Sequence, residues 1–292
     1  MSLATLVAAD ELALHLDDPA WIIFDCRHDL ANPGAGEAAY AAAHVPGARF
    51  LHLDRDLAGP MTGSNGRHPL PDPQQFAGKL AAAGVNANSQ IIAYDDTGGM
   101  YAARLWWMMR WIGHPAAAVL DGGWKAWLAK GHTTSSDIPR PRTGNLAIAT
   151  RNIAVDAAYV LAHLNDPGMR IVDARAADRF RGENETLDPV GGRIPGALNR
   201  FFRDNLDADG CFKPAAQLHA DFSRVLEGAA PETVVHQCGS GVTACHNLLS
   251  MEIAGLAGSR LYPGSWSEWC ADPARPVATG AAGPSGHTNS AR

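Results

Sequence analysis

The chain has 292 residues, 46% of them apolar and 18% charged, and a formal net charge of −6. This is globular composition, long enough for two domains. No dense Lys/Arg run is present, which argues against a nucleic-acid track or a polybasic membrane patch and leaves small molecules as the expected partners. The opening segment MSLATLVAADELALHLDDP has no basic region, and Asp10 and Glu11 break its apolar pattern, so it does not read as a secretory signal. No run approaches the roughly 18 apolar residues of a membrane span. A cytoplasmic protein is expected. The five cysteines (Cys26, Cys211, Cys238, Cys245, Cys270) are scattered without a C-x-x-C pair, so no disulfide framework is expected.

In chain order, short β-branched runs at Trp21–Phe24, Gln90–Tyr94 and Ala118–Leu120 alternate with helical stretches such as Phe76–Ala83. The same alternation returns with runs at Arg170–Val172 and Thr233–His236 and a helical stretch at Ala244–Ala254. This pattern predicts an α/β fold with a parallel sheet covered by helices on both faces.

The two halves are copies. The segment from Tyr94 overlays that from His236 without a gap: Gly99 matches Gly241, Gly113 matches Gly255, Gly122 matches Gly264, Trp124 matches Trp266 and Trp127 matches Trp269. WIIFDCR around Asp25 parallels RIVDAR around Asp173, and HVPGA from His44 parallels RIPGA from Arg193. Each copy is long enough for its own core. The expected division is a first domain over 1–136, a proline-bearing linker over 137–152, a second domain over 153–277 and a disordered tail over 278–292. Trp124 and Trp266 read as anchors closing each copy, and the run Leu105–Met109 as helix core.

The chemistry concentrates in TVVHQ-CGSGVT-ACHNLL: a strand, a loop opened by Cys238, then a helix. Gly239 and Gly241 allow the loop to curl so that backbone N–H groups converge on the sulfur. A cysteine at a helix N-terminus can have its pKa lowered to about 3.5–7.5, so a thiolate is expected at neutral pH. Other readings of the loop are weaker. Gly239–Ala244 has the form of a dinucleotide fingerprint, but Arg260-Leu261-Tyr262 stands where an acidic ribose ligand belongs. A cysteine phosphatase loop needs an arginine six residues after the cysteine, where Ala244 stands. A buried structural thiol would not need flanking glycines and a helix start. His236, Cys238, Cys245 and His246 show no zinc spacing, so no metal is expected.

CGSGVTA resembles the active-site loop of the 3-mercaptopyruvate sulfurtransferases, within the tandem-domain rhodanese superfamily; the thiosulfate-using rhodaneses carry basic residues directly after the cysteine. The resemblance extends over HVPGA/RIPGA and DGGW/PGSW, and sets Asp96 at the place of Cys238, which implies a catalytically inactive first copy. It implies two rhodanese-like domains, no cofactor, and a site between the domains. In that site Cys238 is the nucleophile, Ser240 the loop hydroxyl, and Arg179 the grip on an anionic donor; Gly239, Ser240, Gly241, Val242 and Thr243 form the cradle. Asp54 and His68 of the first copy would complete a serine-protease-like relay to Ser240. The segment Gly59–Arg67 is longer than in animal members, and a second carboxylate-binding arginine of the animal enzymes falls within ENETLDPVGGR, with Arg193 the nearest candidate. Arg175 and Arg181 read as solvated-loop charges paired with Glu183 and Glu185.

The resemblance implies transfer of sulfur from 3-mercaptopyruvate through a Cys238 persulfide to cyanide, a thiol or a thioredoxin-like acceptor. A thiosulfate:cyanide sulfurtransferase and a non-catalytic rhodanese-like module remain as alternatives.

Overall fold

The computed structural model describes residues 2–281. The first half holds five strands: β1 (Leu6–Val7), β2 (Trp21–Asp25), β3 (Arg49–Phe50), β4 (Gln90–Tyr94) and β5 (Ala117–Leu120), in the order β1-β5-β4-β2-β3. The second half holds β6 (Arg170–Asp173), β7 (Leu198–Asn199), β8 (Val234–Gln237) and β9 (Arg260–Leu261), in the order β7-β6-β8-β9. Every pair is parallel. The central strands β4 and β8 are buried along their whole length, as parallel strands between helix layers must be. A counterpart of β1 survives in the second sheet as a single bridge, Ala154 to Leu261.

Local chemistry starts the helices where the periodicity placed them. Helix Pro73–Ala82 opens on Asp72, whose side chain accepts from the amides of Gln74 (3.0 Å) and Gln75 (2.9 Å), with proline in the first turn. Helices Ala102–Trp111 and Thr243–Ile253 follow the equivalent loops of the two copies and pack against each other. Their apolar faces merge the two halves into one core, in which Trp106, Trp107 and Met109 join Val242, Cys245 and Leu249. The linker is not free: the amides of Gly144, Ala149 and Arg151 bond to Ala81, Ile112 and Trp111 of the first domain.

Three expectations change. The sheet register pairs Asp25 with Tyr94 and Asp173 with Gln237. The residue after β4, and thus the counterpart of Cys238, is therefore Asp95 and not Asp96. The gap-free alignment missed this because the first loop, 95–101, is longer than the second, 238–242. The tail from 278 begins as ordered chain: Ala278 bridges to Arg193, whose guanidinium donates to the carbonyls of Gly280 and Ala281. The remaining tail, 282–292, lies outside the described residues. Finally, Arg175 is not a solvated-loop charge: it is buried, forked onto Asp173 (2.6–3.1 Å) and stacked over Trp266. Arg27, Asp25 and Trp124 repeat that arrangement in the first domain. Arg181 does pair with Glu183 at the surface.

Asp95 fills its own loop. Oδ1 accepts from the amides of Thr97 and Gly99 (both 2.9 Å), and Oδ2 from those of Tyr101 (2.7 Å) and Ala102 (2.9 Å). Replacing it by alanine leaves four donors without their acceptor, so Asp95→Ala is expected to cost about 3 kcal/mol or more in urea denaturation; a loss below about 1 kcal/mol would contradict this.

Two core histidines make stability depend on pH. Burial lowers the pKa of His236 to about 3 and that of His246 to about 4. The unfolded chain then binds more protons, so their contribution is complete above an unfolded pKa of about 6.5 and is lost as pH falls from there toward 4. Denaturation between pH 7.5 and 4.5 should show a decline approaching about 2–3 kcal/mol per pH unit; a flat profile would contradict neutral burial of both rings.

Candidate functional site

Strand β8 delivers Cys238 to the seam between the domains, and helix Thr243–Ile253 begins five residues later. Cys238 is buried, and the Gly241 amide donates to its Sγ at 3.1 Å. Gly241 has φ 78°, and a Cβ there would lie 2.3 Å from the Pro263 carbonyl oxygen, so the curl requires glycine. The outside of the loop is tied down. Cys238 O accepts from Trp266 N (3.0 Å), Gly239 O from Ser267 N (2.9 Å), and the Cys238 amide donates to Ser265 Oγ (3.1 Å). Ser265 sits at φ 54° and donates its own hydroxyl to Tyr262 O (2.9 Å). With the Cys238 amide and the Cys238 and Gly239 carbonyls tied in this way, Gly239, Ser240, Val242 and Thr243 line a cavity of about 150 Å³. Its opposite walls are Leu30, Met100, Tyr101, Phe201 and Phe202.

Asp54 and His68 reach Ser240 from the first domain. His68 Nδ1 lies 2.7 Å from Ser240 Oγ, and Nε2 lies 3.2 Å from Asp54 Oδ1. An ionised carboxylate only accepts, so Nε2 carries the ring proton and Nδ1 accepts from the Ser240 hydroxyl. Burial, then the nearby Arg104 cation, lowers the pKa of His68 to about 4 against the opposing pull of Asp54. The ring is therefore neutral at pH 7 and able to take a proton. The long segment before His68 does not disturb this geometry. Gly59 N bonds to Pro69 O (2.9 Å), closing the excursion at its base, while Thr62 and Asn65 bond within it.

Four arginines surround the loop. Arg179 forks onto Glu185 (2.8–3.1 Å) and lies 3.6 Å from Asp188. Arg67, from the first domain, pairs with Asp188 across the seam. A Cβ added at Gly239 would lie 2.9 Å from Nη2 of Arg67 and 3.6 Å from Nη2 of Arg179. Two guanidiniums therefore overhang the residue next to Cys238. The sequence reading singled out Arg179 and missed Arg67, although Arg67 adjoins His68 in RHPLPDP. Arg193, the residue considered for a second anion contact, is turned toward Gly280 and Ala281. Arg175 lines the cavity wall but is committed to Asp173. Arg104, also missed, is fully buried and donates to the carbonyls of Leu57, His68 and Gly241. His28, His52 and Asp54 gather within 4.8 Å of one another, yet both His52 nitrogens are engaged, with Asp54 N (3.1 Å) and Pro33 O (3.1 Å).

The family model of the rhodanese-like domain matches residues 8–130 and again 156–272. A probable 3-mercaptopyruvate sulfurtransferase from Pseudomonas aeruginosa is 47% identical over 283 residues, covering 96% of this chain and 100% of its own. The thiosulfate sulfurtransferase of Mus musculus is 35% identical, with 82% of each chain covered. Among solved structures, the 3-mercaptopyruvate sulfotransferase SseA from Escherichia coli superposes with a TM-score of 0.78 at 32% identity, covering 90% of this chain and 99% of that one. Among the described residues, no helix is long and apolar enough to cross a membrane. With two matched domains and enzymes of sulfur transfer on every side, the chain belongs to the rhodanese family and is a sulfurtransferase.

Proposed function

We propose that the protein takes sulfur from 3-mercaptopyruvate onto Cys238 and passes it to cyanide, a small thiol or a thioredoxin-like dithiol in the cytoplasm. In the first half-reaction the Cys238 thiolate attacks the donor sulfur, and the bond from that sulfur to carbon breaks. The leaving group is pyruvate enolate, which needs a proton on carbon. The donor's own thiol proton balances the step: it passes through Ser240 and His68 and is returned to carbon, leaving a Cys238 persulfide anion and pyruvate. Neither a metal nor an organic cofactor is required by this balance. The acceptor thiolate or cyanide then attacks the outer sulfur and restores Cys238.

The observation that carries this reading is the hydrogen-bonded chain Ser240–His68–Asp54 beside the nucleophile. A neutral His68 oriented by a carboxylate can take a proton and give it back, which mercaptopyruvate needs and thiosulfate, leaving as sulfite, does not. The P. aeruginosa relative supports the same donor. Arg179 and Arg67 receive the donor carboxylate once Glu185 and Asp188 yield their place. The first domain has the Asp95 carboxylate where a nucleophile would stand, so its catalytic part is to contribute Asp54 and His68.

Transfer from thiosulfate is the second reading, favoured by the two cations over Gly239 and by the mouse relative. A module without catalysis would not need a relay aimed at Ser240.

Steady-state kinetics with both donors decide between the readings. Mercaptopyruvate should have the higher kcat/KM, and His68→Ala should lower its kcat by about 100-fold or more while thiosulfate turnover falls less than about 10-fold. Preference for thiosulfate in the wild type, with an indifferent His68, would install the second reading. Arg179→Ala should reduce kcat/KM for either donor by roughly 10- to 150-fold through loss of a charge-assisted bond; an unchanged value would leave Arg179 only its pairing with Glu185.

A further inference from the structure

We propose that Arg104, on the first domain's helix Ala102–Trp111, is a positioning residue of the catalytic loop, supplying a buried positive charge and holding the Gly241 carbonyl. The proposal rests on Cys238 being the sulfur carrier.

Arg104 has no exposed surface, yet its guanidinium meets only neutral acceptors: Gly241 O (3.1 Å), His68 O (3.1 Å) and Leu57 O (3.3 and 3.4 Å). Among the described residues no carboxylate forms an ion pair with it. Carbonyl dipoles solvate a cation without cancelling it, so its full charge persists in a dry interior, where retention of an unpaired charge is costly. Its three partners are also the three parts of the site: the end of the Asp54 helix, the relay histidine and the sulfur loop. Gly241 is held at its carbonyl by Arg104 while its amide donates to Cys238 Sγ.

The duplicated architecture provides a comparison within the molecule. His246 occupies the matching place on helix Thr243–Ile253, and its Nε2 lies 3.0 Å from the Gly98 carbonyl in the loop of the first domain. That loop contains the Asp95 carboxylate, held by four backbone amides, and the residue facing it is a buried histidine with its pKa lowered to about 4 and therefore uncharged at pH 7. The opposite loop holds a sulfur that becomes anionic only as thiolate or persulfide, and the residue facing it is an arginine. A lasting cation stands where the anion is transient.

The other charged or titratable groups near Cys238 each have a carboxylate partner in this structure or are neutral, and Arg179 and Arg67 are the two that would turn to the donor. Arg175 is forked onto Asp173, Arg179 onto Glu185 and Arg67 onto Asp188, and His68 is neutral. Cys245 donates its thiol to Gly241 O, and burial raises its pKa to about 12. Arg104 is the cation in this group without a carboxylate of its own.

The test uses the full chain with Arg104→Met, Arg104→Gln and Arg104→Lys. The readouts are iodoacetamide alkylation of Cys238 at pH 7 and turnover with each donor. Removing the charge in Arg104→Met should slow alkylation by about 10-fold or more and lower kcat for both donors, with donor KM held within about 2-fold. Arg104→Lys should recover part of both rates. Should Arg104→Met fail to fold, Arg104→Gln retains carbonyl donors without the charge and replaces it in the comparison. A folded, uncharged variant that alkylates and turns over at the wild-type rate overturns the proposal. Failure of the underlying reading is separate: it would appear as wild-type enzyme keeping its activity after Cys238 is alkylated.

Discussion

On the proposed reading, a sulfur anion on the buried Cys238, at the seam between two domains, is the constraint around which this molecule is arranged. An anion in that position is stabilised by dipoles and cations fixed beforehand, because the Cys238 side chain is buried and little solvent can reorganise around it. The catalytic loop contains no basic residue. It offers backbone amides, and the curl that aims the Gly241 amide at the sulfur is secured from outside by Ser265, Trp266 and Ser267. Charge has to come from other segments. Arg179 comes from the same domain, while Arg67 and Arg104 come from the other.

On the proposed reading, this division of labour gives a domain without a nucleophile a use beside the one that carries Cys238. Asp95 turns the first loop into a closed, self-satisfied unit that binds its own carboxylate in place of a ligand. That domain presents Asp54, His68, Arg67 and Arg104 to its neighbour. The packing of helices Ala102–Trp111 and Thr243–Ile253 fixes the distance over which these side chains act.

Much of this was legible in the sequence because it is local. The strand, loop and helix around Cys238 are consecutive, and the alternation of β-branched runs with helical stretches is by itself the signature of parallel sheets. The duplication was equally plain from invariant glycine and tryptophan spacing. A loop-length difference hid the true counterpart of Cys238, since matching glycines in the following helix pulled the alignment to Asp96. Arg175 was misjudged because a D-x-R fork buried under tryptophan looks, in one dimension, like any charge run. Arg67 and Arg104 could not be found from motif spacing: their partners Asp188 and Gly241 lie 121 and 137 residues away. The association of Asp54, His68 and Ser240 likewise rested on family likeness, and their contact is a product of domain packing.

In the proposed reaction, Cys238 Sγ is the atom that stores sulfur. The most direct measurement is intact-protein and peptide mass spectrometry after brief treatment with 3-mercaptopyruvate in the absence of an acceptor. The predicted result is one added sulfur, located on the peptide containing Cys238, lost on addition of cyanide and absent from Cys238→Ser. The same adduct in Cys238→Ser, or its location on Cys26, Cys211, Cys245 or Cys270 in the wild type, would contradict the account.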